Sequence, residues 1–357
     1  MFEPTRYLQW ARRFYGKVRF DLATSGIPVV AASELGVVDA AGLDDPSGWE
    51  GLRQAIARYN DVPEEQTIAA LGTTHALWLA YASLTSPGDD VLVETPVYEP
   101  LVRIAEGVGA RVVPFDRGAG EHFALDPERI ARAMTPRTRV VAVTNLHNPS
   151  GRRTHDDRMV AAANVAAAHG AHLLVDEVYA PFDSLVDARG VFEGSAHKLA
   201  PNVVAVSSLT KCYGLGAHRI GWVLAPADVI ARAEDAITAS CGALPLSHAH
   251  TALRGFDRIV ALAARARVHL AGKRERVARW VKTAGLTWSA PEDGLFGFVT
   301  VPGAGDLTAR LEQAAHDRQV LVAAGAFFGV PDGFRLSWSA SEDLLEEGLA
   351  RLAEVLR

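Results

Sequence analysis

Cysteine is scarce in this chain, which contains only Cys212 and Cys241. Two cysteines at that separation provide neither a disulfide framework nor the paired spacing of a metal site. Long apolar runs are missing as well, since no stretch approaches the roughly 18 continuous apolar residues of a membrane-spanning helix. The first residues also lack the apolar core of a signal peptide. These absences predict no metal, no membrane span and a reducing, cytoplasmic setting.

Basic charge is also in short supply. The chain carries 36 Lys and Arg residues against 42 Asp and Glu residues, a formal net charge of −6. A mildly acidic chain with scattered basic residues predicts neither nucleic acid nor an anionic membrane as a partner. The fingerprint G-x-G-x-x-G is missing from the first strand–helix unit, and the Gly214-x-Gly216 turn leads into a strand. This argues against a dinucleotide-dependent dehydrogenase.

Apolar residues, in contrast, are plentiful, at 49% of the 357 residues. Strand-like apolar runs alternate with helical patterns through the middle of the chain. The runs span residues 89–94, 110–115, 138–144, 171–177, 202–208 and 219–225. The helices predicted between them span 97–106, 127–133, 156–169 and 226–239. This alternation predicts an α/β fold with a mostly parallel central sheet and helices on both faces.

The pattern changes after about residue 255. One long helix is predicted over 257–284, then strands at 294–301, 319–323 and 333–338, and a closing helix at 342–356. We therefore predict an N-terminal segment (1–40), a large α/β domain (41–255) and a smaller α+β domain (256–357). The first 40 residues show no regular pattern and are expected to be irregular.

Polar side chains stand where several of these elements end or begin. In a parallel α/β sheet, ligands bind at the carboxyl ends of the strands. The polar residues at such positions are Thr73, Thr74, Asn148, Asp176, Tyr179, Ser208 and Lys211. They are predicted to converge on one pocket.

The order of these motifs resembles the class I/II aminotransferases, the fold-type-I enzymes that use pyridoxal 5′-phosphate (PLP). The motifs are Asn-Pro-Ser-Gly (148–151), Asp-x-x-Tyr (176–179), Ser-x-x-Lys (208–211), an arginine eight positions later, and a late Arg-Leu-Ser (335–337). Each motif alone is weak, whereas the ordered set is highly specific. The resemblance implies the PLP fold-type-I large domain, amino-acid and 2-oxo-acid substrates, and a homodimer with its site near the subunit interface.

The resemblance also implies a role for each residue. Lys211 would form a Schiff base with the cofactor aldehyde and later move the substrate's proton. Asp176 would keep the pyridine nitrogen protonated, although a strand-end aspartate alone would equally be a cap. Tyr179 and Asn148 would hydrogen-bond the phenolic oxygen of the ring, although an Asn-Pro pair also forms turns.

The cofactor phosphate needs a cradle of donors, which this pattern also supplies. Arg219 would provide the fixed cation with paired donors. Hydroxyl groups and a helix N-terminus would complete it. The residues assigned to these roles are Thr73, Thr74, Ser208 and Thr210.

Three further residues each have an alternative beside the functional role. Tyr98 would stack on the cofactor ring, or simply pack at a strand exit. Arg335 would bind the substrate α-carboxylate through two parallel hydrogen bonds, or pair with a protein carboxylate. Gly26 would allow a loop to lie close over the substrate, or serve only as a turn residue.

The chain departs from the family pattern in its first part. Many relatives have a tyrosine there that reaches the partner subunit's cofactor phosphate, and here Leu43 or Asp44 stands in its place. The stretch at 20–36 resembles the capreomycidine-synthase-like branch of the family. That branch uses the same fold for elimination and ring closure.

Three functions follow from these observations. The first is an aminotransferase that acts on an L-α-amino acid with a 2-oxo acid acceptor. The second is a PLP-dependent lyase or cyclase of specialised metabolism, which would use the same residues. The third is a non-catalytic PLP-sensing domain, for which no helix-turn-helix region or basic arm is found. The sequence favours the aminotransferase.

Overall fold

The structure is a computed structural model that describes residues 3–36, 45–182 and 186–357. The predicted replacement of the family's tyrosine, at Leu43 or Asp44, lies outside the described residues. Within these ranges, no helix is both long and apolar enough to cross a membrane.

Strands and helices alternate along the chain. The strands are β1 (Phe20–Asp21), β2 (Thr67–Leu71), β3 (Asp90–Thr95), β4 (Arg111–Asp116), β5 (Thr138–Thr144), β6 (His172–Asp176), β7 (Val203–Ser208), β8 (Ile220–Leu224), β9 (Thr287–Trp288), β10 (Phe296–Thr300), β11 (Val320–Leu321), β12 (Ala323–Ala324) and β13 (Gly333–Ser337). The helices are α1 (Arg6–Phe14), α2 (Ala32–Leu35), α3 (Ser47–Asn60), α4 (Gly72–Leu84), α5 (Pro100–Gly107), α6 (Pro127–Ala133), α7 (Asp156–Ala168), α8 (Ala227–Cys241), α9 (Leu246–Asp257), α10 (Ile259–Leu270), α11 (Lys273–Thr283), α12 (Thr308–Asp317) and α13 (Glu342–Leu356).

The large sheet has seven strands in the order β2-β8-β7-β6-β5-β3-β4. Neighbouring strands are parallel except at β8, which runs antiparallel to both β2 and β7. The predicted α/β fold with a mostly parallel sheet is therefore confirmed. The register sets Asp176 beside Thr144 of β5 and Val206 of β7, so the carboxyl ends of three strands meet at one edge.

Helices cover both faces of this sheet because its strands are apolar on both sides. Val91 and Val93 face one way and pack in a cluster with α4, α5 and α8. Leu92 faces the other way and packs with α6 and α7. This double coverage buries the parallel strands almost completely, as such sheets require.

A second, four-stranded antiparallel sheet has the order β12-β13-β10-β9. Apolar residues of α11, α12 and α13 pack on it. The N-terminal strand β1 pairs in parallel with β11, with Phe20 opposite Val320. The start of the chain is thereby joined to its last hundred residues.

The N-terminal segment is more regular than the sequence indicated. Residues 6–14 form the helix α1, where an irregular segment was expected. Tyr7, Trp10, Ala11 and Phe14 form one buried face at helical spacing and pack against residues such as Phe328. This amphipathic spacing is the signal that the sequence prediction missed.

The prediction of one long helix over 257–284 is also wrong. It is divided into α10 and α11, which are separated by Ala271 and Gly272. Gly272 has φ +73°, in the left-handed region that a glycine adopts at no steric cost. A glycine at the junction of two helical patterns therefore ends one helix and starts the next.

Candidate active site

A cavity of about 430 Å³ opens at the carboxyl edge of the large sheet. Its walls come from the ends of β3, β6 and β7 and from the first turn of α4, with α1 on one side. The predicted residues that line it are Thr73, Thr74, Tyr98, Asp176, Tyr179, Thr210, Lys211 and Arg219. A larger cavity of about 750 Å³, lined by Arg6, Gln9 and Arg13 of α1, contains none of the predicted site residues.

Lys211 lies in the connection between β7 and β8. Its side chain is half-buried, and its Nζ donates to the Ser25 hydroxyl at 3.3 Å. Burial, with the charges of Arg335 and Arg219, lowers the pKa of Lys211 to about 8, while Asp176 acts in the opposite direction. Part of this amine is therefore neutral near pH 8, and the neutral form is the one that attacks an aldehyde.

Asp176 ends β6 and is buried, with 3% of its surface exposed. One carboxylate oxygen accepts the N–H of Val178 at 3.2 Å. Burial raises the pKa of Asp176 to about 7, against the opposing charge of Lys211. No Lys, Arg or His forms a salt bridge with it in the described part of the chain. A buried carboxylate without a salt-bridge partner suits a ligand that brings its own positively charged N–H.

Two tyrosines stand on the cavity wall. The Tyr179 hydroxyl donates to Ser25 Oγ at 2.9 Å, and its ring meets Phe296 edge-on at 4.8 Å between centroids. The Tyr98 ring stands edge-on to Tyr7 at 5.7 Å. Tyr98 is thus packed at a strand exit and also reaches the cavity, so both roles predicted for it are compatible.

The basic end of the cavity lies at the start of α4. The Thr73 hydroxyl donates to Ser208 Oγ at 2.9 Å, and the Thr210 amide donates to the same oxygen at 3.3 Å. The Thr210 hydroxyl is buried, and no partner for it is found in the described ranges. Arg219 donates to the Leu71 carbonyl at 3.3 Å.

Glycine at position 72 is required for this end of the cavity. A Cβ there would lie 2.5 Å from the Nη2 of Arg219, and the residue has φ +75°. Gly221 is equally constrained, since its Cβ would lie 2.6 Å from the Gly72 carbonyl carbon. These two glycines let the arginine approach the first turn of α4.

Arg335 and Asn148 lie behind the cavity wall rather than on it. Arg335, on β13, is fully buried and donates to Asn148 Oδ1 at 2.8 Å, to the Tyr7 hydroxyl at 2.7 Å and to the Ala23 carbonyl at 3.1 Å. Its Nε is buried and has no hydrogen-bond partner among the residues described. No carboxylate of those residues lies close enough to the guanidinium to form a salt bridge. Within the described ranges, no ion pair between Arg335 and a protein carboxylate is therefore found.

Asn148 is held by a buried network behind it. Its backbone N–H donates to the Thr144 hydroxyl at 2.9 Å, and that hydroxyl donates to Glu94 at 2.6 Å. Arg117 pairs with the same carboxylate group at 2.7 Å. All four residues are buried, so this network fixes the Asn148 turn on the rigid end of β5.

Gly26 lies against Lys211. A Cβ there would lie 3.4 Å from the Lys211 Cδ. The next residue, Ile27, donates its N–H to the Lys211 carbonyl at 3.1 Å. The loop at 23–27 therefore contacts Lys211.

Sequence reasoning missed four residues at or beside the site. Leu8 and Arg12 line the cavity from α1, Tyr7 contacts Arg335, and Ser25 contacts Lys211. All four belong to the segment that was expected to be irregular. Its aromatic residues at helical spacing were the available signal for α1, whereas nothing local marks Ser25.

This architecture is that of the PLP-dependent fold-type-I enzymes, as predicted. It superposes on a PLP-dependent aminotransferase from Streptococcus suis with a TM-score of 0.89 and 23% identity, covering 100% of this chain and 98% of that chain. The chain belongs to the aminotransferase class I and II family, whose profile matches residues 38–352. It is therefore an enzyme of a family for which PLP is the implied cofactor.

Two relatives illustrate the range of this family. Capreomycidine synthase of Streptomyces vinaceus is 30% identical over 365 residues, covering 97% of this chain and 92% of that protein. Aspartate/prephenate aminotransferase of Thermus thermophilus is 30% identical over 329 residues, covering 87% and 82% respectively. An aminotransferase and a synthase thus both occur among proteins that are 30% identical to this one.

Proposed function

We propose that this protein is a PLP-dependent aminotransferase that converts an L-α-amino acid with a 2-oxo acid as acceptor. The observation that carries this proposal is the single cavity in which Lys211, Asp176, Tyr179 and Arg219 meet. When bound, PLP would withdraw electrons from the substrate α-carbon, which makes the α-proton removable. The residues of the chain would bind and orient the substrate and would transfer that proton.

The basic end of the cavity fits the phosphate group. Arg219 brings a fixed positive charge with paired donors. The buried Thr210 hydroxyl lacks a partner in the part of the chain that the structure describes, so it suits an added oxygen ligand. Thr73, Thr74 and Ser208 would add hydroxyl groups at the N-terminus of α4, where the helix dipole favours an anion.

The other end of the cavity fits the ring and the reacting atoms. Asp176 would hold a proton on the ring nitrogen, while Tyr179 and the side-chain amide of Asn148 would hydrogen-bond the phenolic oxygen. Tyr98 would cover a ring face. Lys211 would hold the cofactor covalently and, once released, use its Nζ to take the proton from the substrate α-carbon.

Arg335 is proposed to bind the substrate α-carboxylate. Its charge is balanced only by neutral oxygens in the described ranges, and its Nε has no partner. The substrate carboxylate would supply a negative charge to balance the guanidinium and a further hydrogen-bond acceptor. Gly26 would let the loop at 23–27 approach that substrate closely.

Replacement of Arg335 tests the carboxylate role. In Arg335→Lys, kcat/KM for the amino acid should fall by about 10²–10³-fold, because a bidentate charge-assisted pair is lost. With the same variant, kcat/KM for the corresponding amine, which lacks the carboxylate, should fall by less than about threefold. Steady-state rates with the two substrates measure the difference. Arg117→Lys, at another buried arginine, should affect both substrates alike; equal losses in Arg335→Lys would refute the role.

A second candidate function, a PLP-dependent lyase or cyclase, is favoured by one observation. The match to capreomycidine synthase reaches 97% of this chain, whereas the match to the Thermus aminotransferase reaches 87%. The loop at 23–27 contacts Lys211 and belongs to the stretch that resembles this branch. The same proton abstraction would then lead to loss of a substituent or to ring closure.

One experiment separates the two functions. The PLP-loaded enzyme is mixed with amino acids in the absence of any 2-oxo acid. We expect conversion of the cofactor to its amine form, one equivalent per active site, with release of a 2-oxo acid. Catalytic release of ammonia or of a cyclised product would instead establish the lyase or cyclase. A homodimer and a cytoplasmic setting stay predictions.

A further inference from the structure

Ser25 occupies a singular place in the described structure, between the two groups proposed to act at the reaction centre. It is buried, with 3% of its surface exposed. Its Oγ receives a hydrogen bond from the Tyr179 hydroxyl at 2.9 Å and one from the Lys211 Nζ at 3.3 Å. Burial of a hydroxyl between two such groups leaves it little freedom to point elsewhere.

The backbone around Ser25 is fixed on both sides. Asp21 accepts the N–H groups of Ala23 and Thr24, both at 2.9 Å. The Thr24 carbonyl accepts the Ser339 hydroxyl at 3.0 Å. The Ile27 N–H donates to the Lys211 carbonyl at 3.1 Å. The Ser25 side chain is thus presented from an anchored loop, as positioning residues are.

A second set of bonds ties the same loop to Arg335. The Ala23 carbonyl accepts from Arg335 at 3.1 Å and from the Tyr15 hydroxyl at 3.2 Å. The Tyr7 hydroxyl, which accepts from Arg335, also bonds with Tyr15 at 2.7 Å. The loop is therefore anchored at the proposed carboxylate site and reaches the proposed covalent lysine two residues later.

We propose that Ser25 is a positioning residue that holds the Lys211 amine beside the Tyr179 hydroxyl. This inference rests on the role of Lys211 in the proposed function. A hydroxyl serves both protonation states of the amine: its oxygen accepts from the ammonium form, and its hydrogen can be donated to the neutral form. In the cofactor-free protein the Tyr179 hydroxyl has Ser25 as its acceptor in both states.

The surroundings of Lys211 make the Ser25 oxygen important to the charged form. Arg335 and Arg219 both disfavour the ammonium ion, and burial acts in the same direction. Asp176 is the carboxylate that opposes them. Arg12 also lines the cavity, and the phenols that face it are Tyr98 and Tyr179. Loss of the Ser25 acceptor should therefore lower the pKa of Lys211 further.

The test uses the cofactor-free protein and a readout that does not depend on activity. The rate of Lys211 modification by an amine-reactive reagent is followed against pH by peptide mass spectrometry, with the other four lysines as internal references. In Ser25→Ala, the pKa of Lys211 should fall by about one unit, the size expected from loss of one hydrogen bond to a charged group.

Thr24→Val is the matched control, because it removes a neighbouring hydroxyl that donates to Asp21 rather than bonding with Lys211. It should leave the pKa of Lys211 at its wild-type value. An unchanged pKa in Ser25→Ala, or an equal fall in Thr24→Val, would overturn the proposal. Failure of the proposed function itself would appear separately, as a PLP-treated protein in which Lys211 carries no cofactor.

Discussion

Lys211→Ala is expected to abolish the covalent attachment of PLP and to lower kcat/KM by at least about a thousand-fold. General acid–base catalysis by a positioned group contributes about 10²–10⁴-fold, and this variant removes the nucleophile as well. The amine that would move the substrate proton is the half-buried one beside Ser25 and Tyr179. Single-turnover kinetics at pH 8, near the pKa of about 8, measure the chemical step.

Lys198→Ala is the control for this variant. Lys198 pairs with Asp61 at 3.2 Å and does not line the cavity. Its loss should leave the rate within about twofold, since exposed ion pairs contribute little. A small primary amine added to Lys211→Ala should restore part of the rate, because it replaces the missing base. Retention of more than a tenth of the wild-type rate by Lys211→Ala would contradict the assignment.

Asp176→Asn is expected to retain PLP binding but to lose about 10²–10³-fold in kcat/KM. An opposite charge nearby raises the pKa of a cationic group by about 1–3 units, and this variant removes that charge from the proposed ring nitrogen. The cofactor phosphate would still be held at the other end of the cavity, by Arg219 and Thr210. Cofactor titration and steady-state kinetics on the same preparations separate binding from catalysis.

The same substitution should stabilise the cofactor-free protein. The folded-state pKa of Asp176, about 7, lies above the 3.8 of an ordinary aspartate. The folded state therefore holds its proton more tightly than the unfolded state, and this carboxyl lowers stability progressively as the pH rises from about 4 to 7. At pH 8 the thermal midpoint of Asp176→Asn without cofactor should exceed that of the wild type.

Glu177→Gln is the matched control for Asp176→Asn. Burial raises the pKa of Glu177 to about 7 as well, but its oxygens accept from Ser195 and the Ala196 N–H at 2.8 Å each, and it does not line the cavity. The kcat/KM of Glu177→Gln should differ from that of the wild type by less than about threefold. If Glu177→Gln lost as much activity as Asp176→Asn, the effect would reflect packing at the end of β6 rather than the ring nitrogen.

The large sheet and much of its site were accessible from the sequence because parallel strands obey a simple rule. Apolar runs identify such strands, and their carboxyl ends must lie at one edge. Asp176 and Lys211 could therefore be placed near each other without coordinates. The resemblance to a known family then supplied a role for Arg335, an arginine inside an otherwise apolar strand.

The remaining contacts could not be predicted because they join distant parts of the chain. The bond between Arg335 and Asn148 spans 187 residues, and that between Ser25 and Lys211 spans 186. A lone serine in a loop has no sequence feature that indicates its partner. The division at Gly272 and the apolar face of α1, in contrast, were present in the sequence and were overlooked.

The most direct measurement of the central claim is borohydride reduction of the PLP-loaded protein, followed by proteolysis and mass spectrometry. Reduction makes a covalent cofactor–lysine bond permanent, so the modified peptide identifies the lysine. We predict one cofactor per chain on the peptide that contains Lys211, with the other four lysines unmodified. Attachment to a different lysine, or none after saturation with PLP, would contradict the account.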